Sequence, residues 1–156
     1  MLQLSDFTCP TERSKKYAVF KNVNGKCYFI TKGRCKADGT NGCTFQQGQD
    51  QCKTVFGAGI LGKIFEPTSL EDNDAVLKVA NTVSSGWYWI GVSNQPLKYK
   101  SNNKTVSIST IPWQSGQPSK TASETQCLLA NAGSLEWSAG YKCSTTGGYL
   151  ICETSF

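Results

Sequence analysis

The chain has 156 residues, a net charge of +5, a pI near 8.8, eight cysteines and no histidine. That length suits one domain with a buried core, and no run of eighteen apolar residues is present to cross a membrane. Without histidine, Ser-His and Cys-His nucleophile pairs are excluded. Basic residues never run beyond two together, so no nucleic-acid-binding motif stands out.

The start of the chain lacks the charged-then-apolar pattern of a signal peptide, and Met1 reads as a start placed before a mature secreted chain. Residues Tyr17 to Ile30 predict a β-hairpin: two β-prone runs flank Asn24-Gly25, and both of those residues tolerate the positive φ of a type I′ turn. From Thr44 to about Phe56 the pattern predicts a helix with Phe45, Cys52 and Phe56 on one face and Gly57 as its stop. A short strand is expected within Gly59 to Phe65.

A second helix is capped by Ser69, with Glu71 and Asp72 at its positive end. Leu70, Leu77, Ala80 and Val83 line one side, and the helix should end between Asn81 and Ser84. Trp87 to Val92 is almost wholly apolar, as a strand buried on both faces must be. Beyond it the chain is loop-rich, with Leu97–Lys100 and Thr105–Ser109 expected to pair as a small hairpin. Two last strands centre on Cys127–Ala130 and Tyr149–Cys152. Two helices among non-adjacent short strands predict an α+β domain, and no internal repeat divides residues 1–156.

The cysteines are Cys9, Cys27, Cys35, Cys43, Cys52, Cys127, Cys143 and Cys152. An even number at wide, irregular spacing predicts four disulfides and a secreted, extracellular location. A zinc site leans on close-spaced Cys or His ligands, and no CxxC pair occurs. Four pairs allow 105 connectivities, among which spacing does not choose.

Taken together, Trp87-Tyr88-Trp89-Ile90-Gly91, Trp113-Gln114-Ser115-Gly116-Gln117-Pro118, the Cys127–Cys143 spacing, Trp137 and Cys152-Glu153 resemble the C-type lectin-like domain. The resemblance covers about residues 9–153. It implies the long form of that fold, with two helices flanking short antiparallel β-sheets and a long loop region. It also implies the pairings Cys52–Cys152, Cys127–Cys143 and Cys9–Cys27, which leaves Cys35 and Cys43 to pair locally inside an insertion at 33–43. Glu153, which follows the core cysteine as in the family, is expected to be structural.

Calcium-binding members of that family place Glu-Pro-Asn or Gln-Pro-Asp at Gln117-Pro118-Ser119, a further acid near Glu124, and Trp-Asn-Asp at Trp137-Ser138-Ala139. Calcium requires six to eight oxygens, several from carboxylates. Here Gln117 retains an amide oxygen and Ser119 and Ser138 only hydroxyls, while Ala139 has no donor. The expectation is no metal and no cofactor, or calcium held only at millimolar affinity. A remnant site using Asn94, Asn102 and Asn103 is left open. The acids Glu71, Asp72 and Asp74 are read as helix-start residues and not as a metal cluster.

The resemblance implies that Trp113 and Trp137 are core residues, whereas Tyr99 and Tyr141 lie in polar, loop-like surroundings and are the candidates to stack on a sugar. Asn103-Lys104-Thr105 is a glycosylation sequon. The function expected is a secreted, non-catalytic recognition module that binds carbohydrate through Gln117, Ser119, Glu124, Tyr99 and Tyr141, with weak or no calcium dependence. Its partners would be glycans or cell-surface glycoproteins, with no nucleic acid and no membrane insertion; oligomerisation is left open. The alternative is a calcium-independent protein-binding or ice-binding member of the same fold, although the loop threonines are irregularly spaced.

Overall fold

The computed structural model describes residues 9, 17–34, 43–94, 96–117 and 126–154. Strands β1 (Ala18–Val23) and β2 (Lys26–Arg34) form the hairpin, closed by Asn24 at φ 53° and Gly25 at φ 84°. Both turn residues occupy the left-handed region, as a type I′ turn demands. The Asn22 side chain accepts the Gly25 N–H at 3.0 Å and holds the turn shut.

Helix α1 (Phe45–Cys52) is shorter than its sequence pattern predicts. Thr44 caps it from outside in a reciprocal capping box with Gln47. The helix stops at Cys52 and not near Phe56, because the chain turns to lay the Phe56 ring against Phe20, centroids 6.0 Å apart. Strand β3 (Gly62–Ile64) then passes so close that a Cβ at Gly62 would collide with the Cys52 carbonyl oxygen.

Helix α2 (Leu70–Val83) has its ends where the sequence puts them, with Ser69 accepting the Asp72 N–H at 3.0 Å. Its inner face is Asn73, Val76, Leu77 and Ala80, whereas Leu70, expected on that face, is exposed. In the first turn of a helix a side chain can splay toward solvent without breaking the stripe that follows.

The remaining strands are β4 (Trp87–Asn94), β5 (Lys98–Tyr99), β6 (Gln126–Asn131), β7 (Trp137–Tyr141) and β8 (Tyr149–Thr154). All join one sheet in the order β1-β2-β8-β4-β6-β7, with β3 also on β8 and β5 on β4. The sheet is mixed and not antiparallel throughout: β8 slots between the hairpin and β4, and β4 and β8 run parallel. The hairpin expected between Leu97–Lys100 and Thr105–Ser109 is reduced to a bridge at Lys98 and Thr105, since β5 spends its pairing on β4.

Alternate residues of the central strands face opposite sides. Trp89, Phe29, Leu150 and Cys152 pack with Phe45 and Cys52 of α1. Tyr88, Ile90, Val92, Tyr28 and Ile151 pack with Val76, Leu77 and Ala80 of α2. The period of two along each strand thus divides the core into two layers, one per helix.

Three disulfides join described residues: Cys9–Cys27, Cys52–Cys152 and Cys127–Cys143, with Cα separations of 5.3, 5.3 and 5.0 Å. The pairing expected of Cys43 involves Cys35, which lies outside the described residues. Cys52–Cys152 spans 100 residues and ties α1 to β8; a closed loop of that length contributes about 4–5 kcal/mol by restricting the unfolded chain.

Glu153 is buried between two elements and paired with Lys26 at 3.2 Å and Lys63 at 3.8 Å. It also accepts the Glu66 N–H at 3.2 Å. Glu66 in turn binds Lys63 and, through both carboxylate oxygens, the backbone and hydroxyl of Ser101. This polar network pins the hairpin, β3 and the turn after β5 to β8. Burial pushes the Glu153 carboxyl up to about 7 despite the two ammonium groups.

Candidate functional site

The loop face is built outward from Trp137. Its indole is fully buried, stacks edge-on against Trp113 with centroids 6.3 Å apart, and donates from Nε1 to Asn73 Oδ1 at 2.8 Å. Asn73 is itself buried on α2, so the helix fixes the start of β7. Backbone bonds from Trp137 N to Pro112 O and from Gln114 N to Trp137 O, both 2.8 Å, lay the 112–114 segment beside β7.

Beyond Gln114 the chain turns back, with Gly116 at φ 84° and a Gln117 N to Gln114 O bond of 2.9 Å. The turn directs Gln117 toward β7, where its Oε1 accepts the Ala139 N–H at 3.1 Å. Ser138 and Ala139 are both buried. Of the donors the family resemblance would aim at calcium, one oxygen is thus engaged by the backbone, one hydroxyl is enclosed, and one position carries a methyl group. That set does not fit a calcium ion, which needs several carboxylate oxygens at once. Among the described residues no group of three or more acidic, Cys or His side chains is gathered for a metal. Ser119 and Glu124 lie outside the described residues.

Tyr99 departs from expectation. It is 7% exposed, its hydroxyl donates to Pro67 O at 2.7 Å, and it lies 2.8 Å from Ser107 Oγ. Polar neighbours in sequence suggested a surface loop, but the segment folds down onto β4 and the polar groups satisfy one another inside. Tyr99 is therefore a structural link and cannot stack on a ligand. Tyr141 pairs with Cys127 in the sheet. Asn103 is exposed at φ 58°. The other asparagines do not gather: Asn94 is buried in β4, and Asn102 Oδ1 accepts the Lys104 N–H at 2.9 Å. The acids at the start of α2 serve the helix, since Asp72 accepts both the N–H and the hydroxyl of Thr68.

Sequence reasoning missed a cleft of about 360 Å³ beside α1, walled by Thr44, Phe45, Gln49, Lys100, Cys143 and Ser144. The Lys100 ammonium sits over the Phe45 ring, 5.3 Å from its centroid. No local motif announces it, because its walls, which include Cys127, come from four distant parts of the chain. The pairing of the buried Glu66 carboxylate with the half-buried Lys63 carried no sequence signal either.

Residues 41–154 match the family model of the Lectin C-type domain. Among solved structures the chain is similar to human lithostathine, at 16% identity and a TM-score of 0.64 over 97% of this chain and 98% of that one. It is similar to CEL-I, a C-type lectin from Cucumaria echinata, at 12% identity and a TM-score of 0.66 over 93% and 99%. A calcium-independent type II antifreeze protein aligns at 15% identity and a TM-score of 0.59 over 90% and 93%. At these identities the likeness is one of fold. No curated protein sequence matches the chain.

Proposed function

The chain belongs to the Lectin C-type domain family, and from that premise we propose that it is a secreted recognition module that binds carbohydrate with weak or no dependence on calcium. The observation that carries this reading is the bond from Ala139 N–H to Gln117 Oε1. It makes a structural brace of the amide that would otherwise be the first metal ligand, and so leaves recognition to direct hydrogen bonds from the loop face. Gln117, Ser119, Glu124 and Tyr141 are the proposed contacts, and glycans or cell-surface glycoproteins the proposed partners. The disulfides fit an oxidising, extracellular setting. Catalysis is not part of the proposal, since the chain lacks histidine and its buried acids are engaged by lysines.

A second reading, a protein-binding or ice-binding member, is favoured by the burial of Ser138 and Ala139, which leaves β7 with little to offer a sugar there. The similarity to an antifreeze protein named as calcium-independent is consistent with it. An immobilised glycan panel, run in millimolar calcium and again in EDTA, separates the readings. Retention that survives EDTA is the expected result. Retention abolished by EDTA would overturn calcium independence, and silence in both conditions would favour the second reading.

A further inference from the structure

The cleft beside α1 shares none of its walls with the Gln117 face, and three of its features point to one ligand chemistry. Its cation is uncommitted: among the described residues Lys100 makes no ion pair, and its ammonium rests only against the Phe45 ring. An ammonium without a counter-ion at a cleft wall attracts an anion, and a domain of net charge +5 reinforces that attraction. Next, the Gln49 amide and the Ser144 hydroxyl make no side-chain hydrogen bond among the described residues, so donors and acceptors are left for a polyhydroxylated ligand. Finally, the backbone groups nearby are already spent. Phe45 N donates to Cys143 O, and Thr44 is closed by its capping box, so the charge selectivity comes from Lys100 and not from the helix end.

A volume of about 360 Å³ accommodates one or two sugar rings. The floor is firm, because Phe45 stacks edge-on to Trp89 at 5.9 Å and the Cys127–Cys143 disulfide braces the far wall. We propose that this cleft is a second binding site, for an acidic saccharide whose carboxylate or sulfate pairs with Lys100 while its hydroxyls bond to Gln49 and Ser144. The proposal rests on reading the domain as a carbohydrate-recognition module, but it uses different residues.

The test is titration calorimetry with three probes: a sulfated tetrasaccharide, 3′-sialyllactose and uncharged lactose. Lys100→Gln should weaken binding of an acidic probe about tenfold, the scale of one lost hydrogen-bonded charge contact. Lys100→Arg, which keeps the cation, should stay within about threefold on the same grounds. Lys98→Gln and Lys104→Gln should each change affinity less than about twofold, as exposed charges at a distance do. Thermal melts of every variant confirm folding, and acidic-probe affinity that falls in Gln117→Ala but not in Lys100→Gln would place the sugar on the loop face and overturn the cleft site. Loss confined to the sulfated or to the sialylated probe supports the site and names its anion. Equal loss in all three lysine-to-glutamine variants would reduce the effect to diffuse charge, and lactose binding as tightly as both acidic probes, or no acidic probe binding at all, would overturn the proposal outright.

Discussion

Gln117 Oε1 and the Ala139 N–H, 22 residues apart in sequence, meet at 3.1 Å and lock the loop face to β7. Because Ala139 is buried, its N–H has no water to turn to when that partner is removed. Gln117→Ala should cost about 1–3 kcal/mol of unfolding free energy, the penalty of an orphaned buried donor. Urea denaturation measures it. In the same experiment about 1 mM calcium should add less than about 0.4 kcal/mol to the unmodified protein, the gain expected when ligand only equals its dissociation constant.

Glu153 sets a pH dependence of defined sign. Its carboxyl is raised from the ordinary 4.5 to about 7, so the folded state binds that proton more tightly than the unfolded chain does. The associated stability is full below about 4.5 and is lost as pH rises through about 7. It amounts to roughly 3 kcal/mol. Chemical denaturation from pH 4.5 to 7.5 should show stability falling across that window, and Glu153→Gln should flatten the slope. An unchanged slope in the variant would assign the titration elsewhere.

Asn73 links α2 to the loop face through Trp137. Asn73→Ala strands the buried indole N–H and opens a small void, and should cost about 2 kcal/mol. Near-ultraviolet circular dichroism should register the loosened Trp113–Trp137 pair, which stacks edge-on at 6.3 Å.

Tyr99 distinguishes structure from recognition. Tyr99→Phe removes only the hydroxyl that reaches Pro67 O and Ser107, and should lower stability by about 1–2 kcal/mol. Retention on any glycan that the protein binds should stay unchanged. A selective loss of retention with stability intact would restore Tyr99 as a contact residue.

Much of the fold was legible in the chain. Asn24-Gly25 announced its hairpin, Ser69 its helix, and the run Trp87–Val92 a strand buried on both faces, because each depends on neighbours in sequence. The motifs carried the resemblance to the family, and that resemblance, not the spacing of the cysteines, implied the three pairs found. Less legible were the early end of α1, the exposure of Leu70 and the burial of Tyr99, where distant contacts outweighed local pattern.

The sequence by itself determined that position 139 brings no side-chain oxygen, since alanine carries only a methyl group wherever it is placed. Only tertiary structure decided what the surviving groups do. The insertion of β8 beside β4, the bracing of Ala139 by Gln117 and the pairing of Glu153 with Lys26 and Lys63 all join residues far apart in the chain. Their geometry follows from how the two core layers close over the sheet. Hydrophobic pattern can name the buried faces, but only the closed sheet fixes which polar groups are shut in together and must satisfy one another.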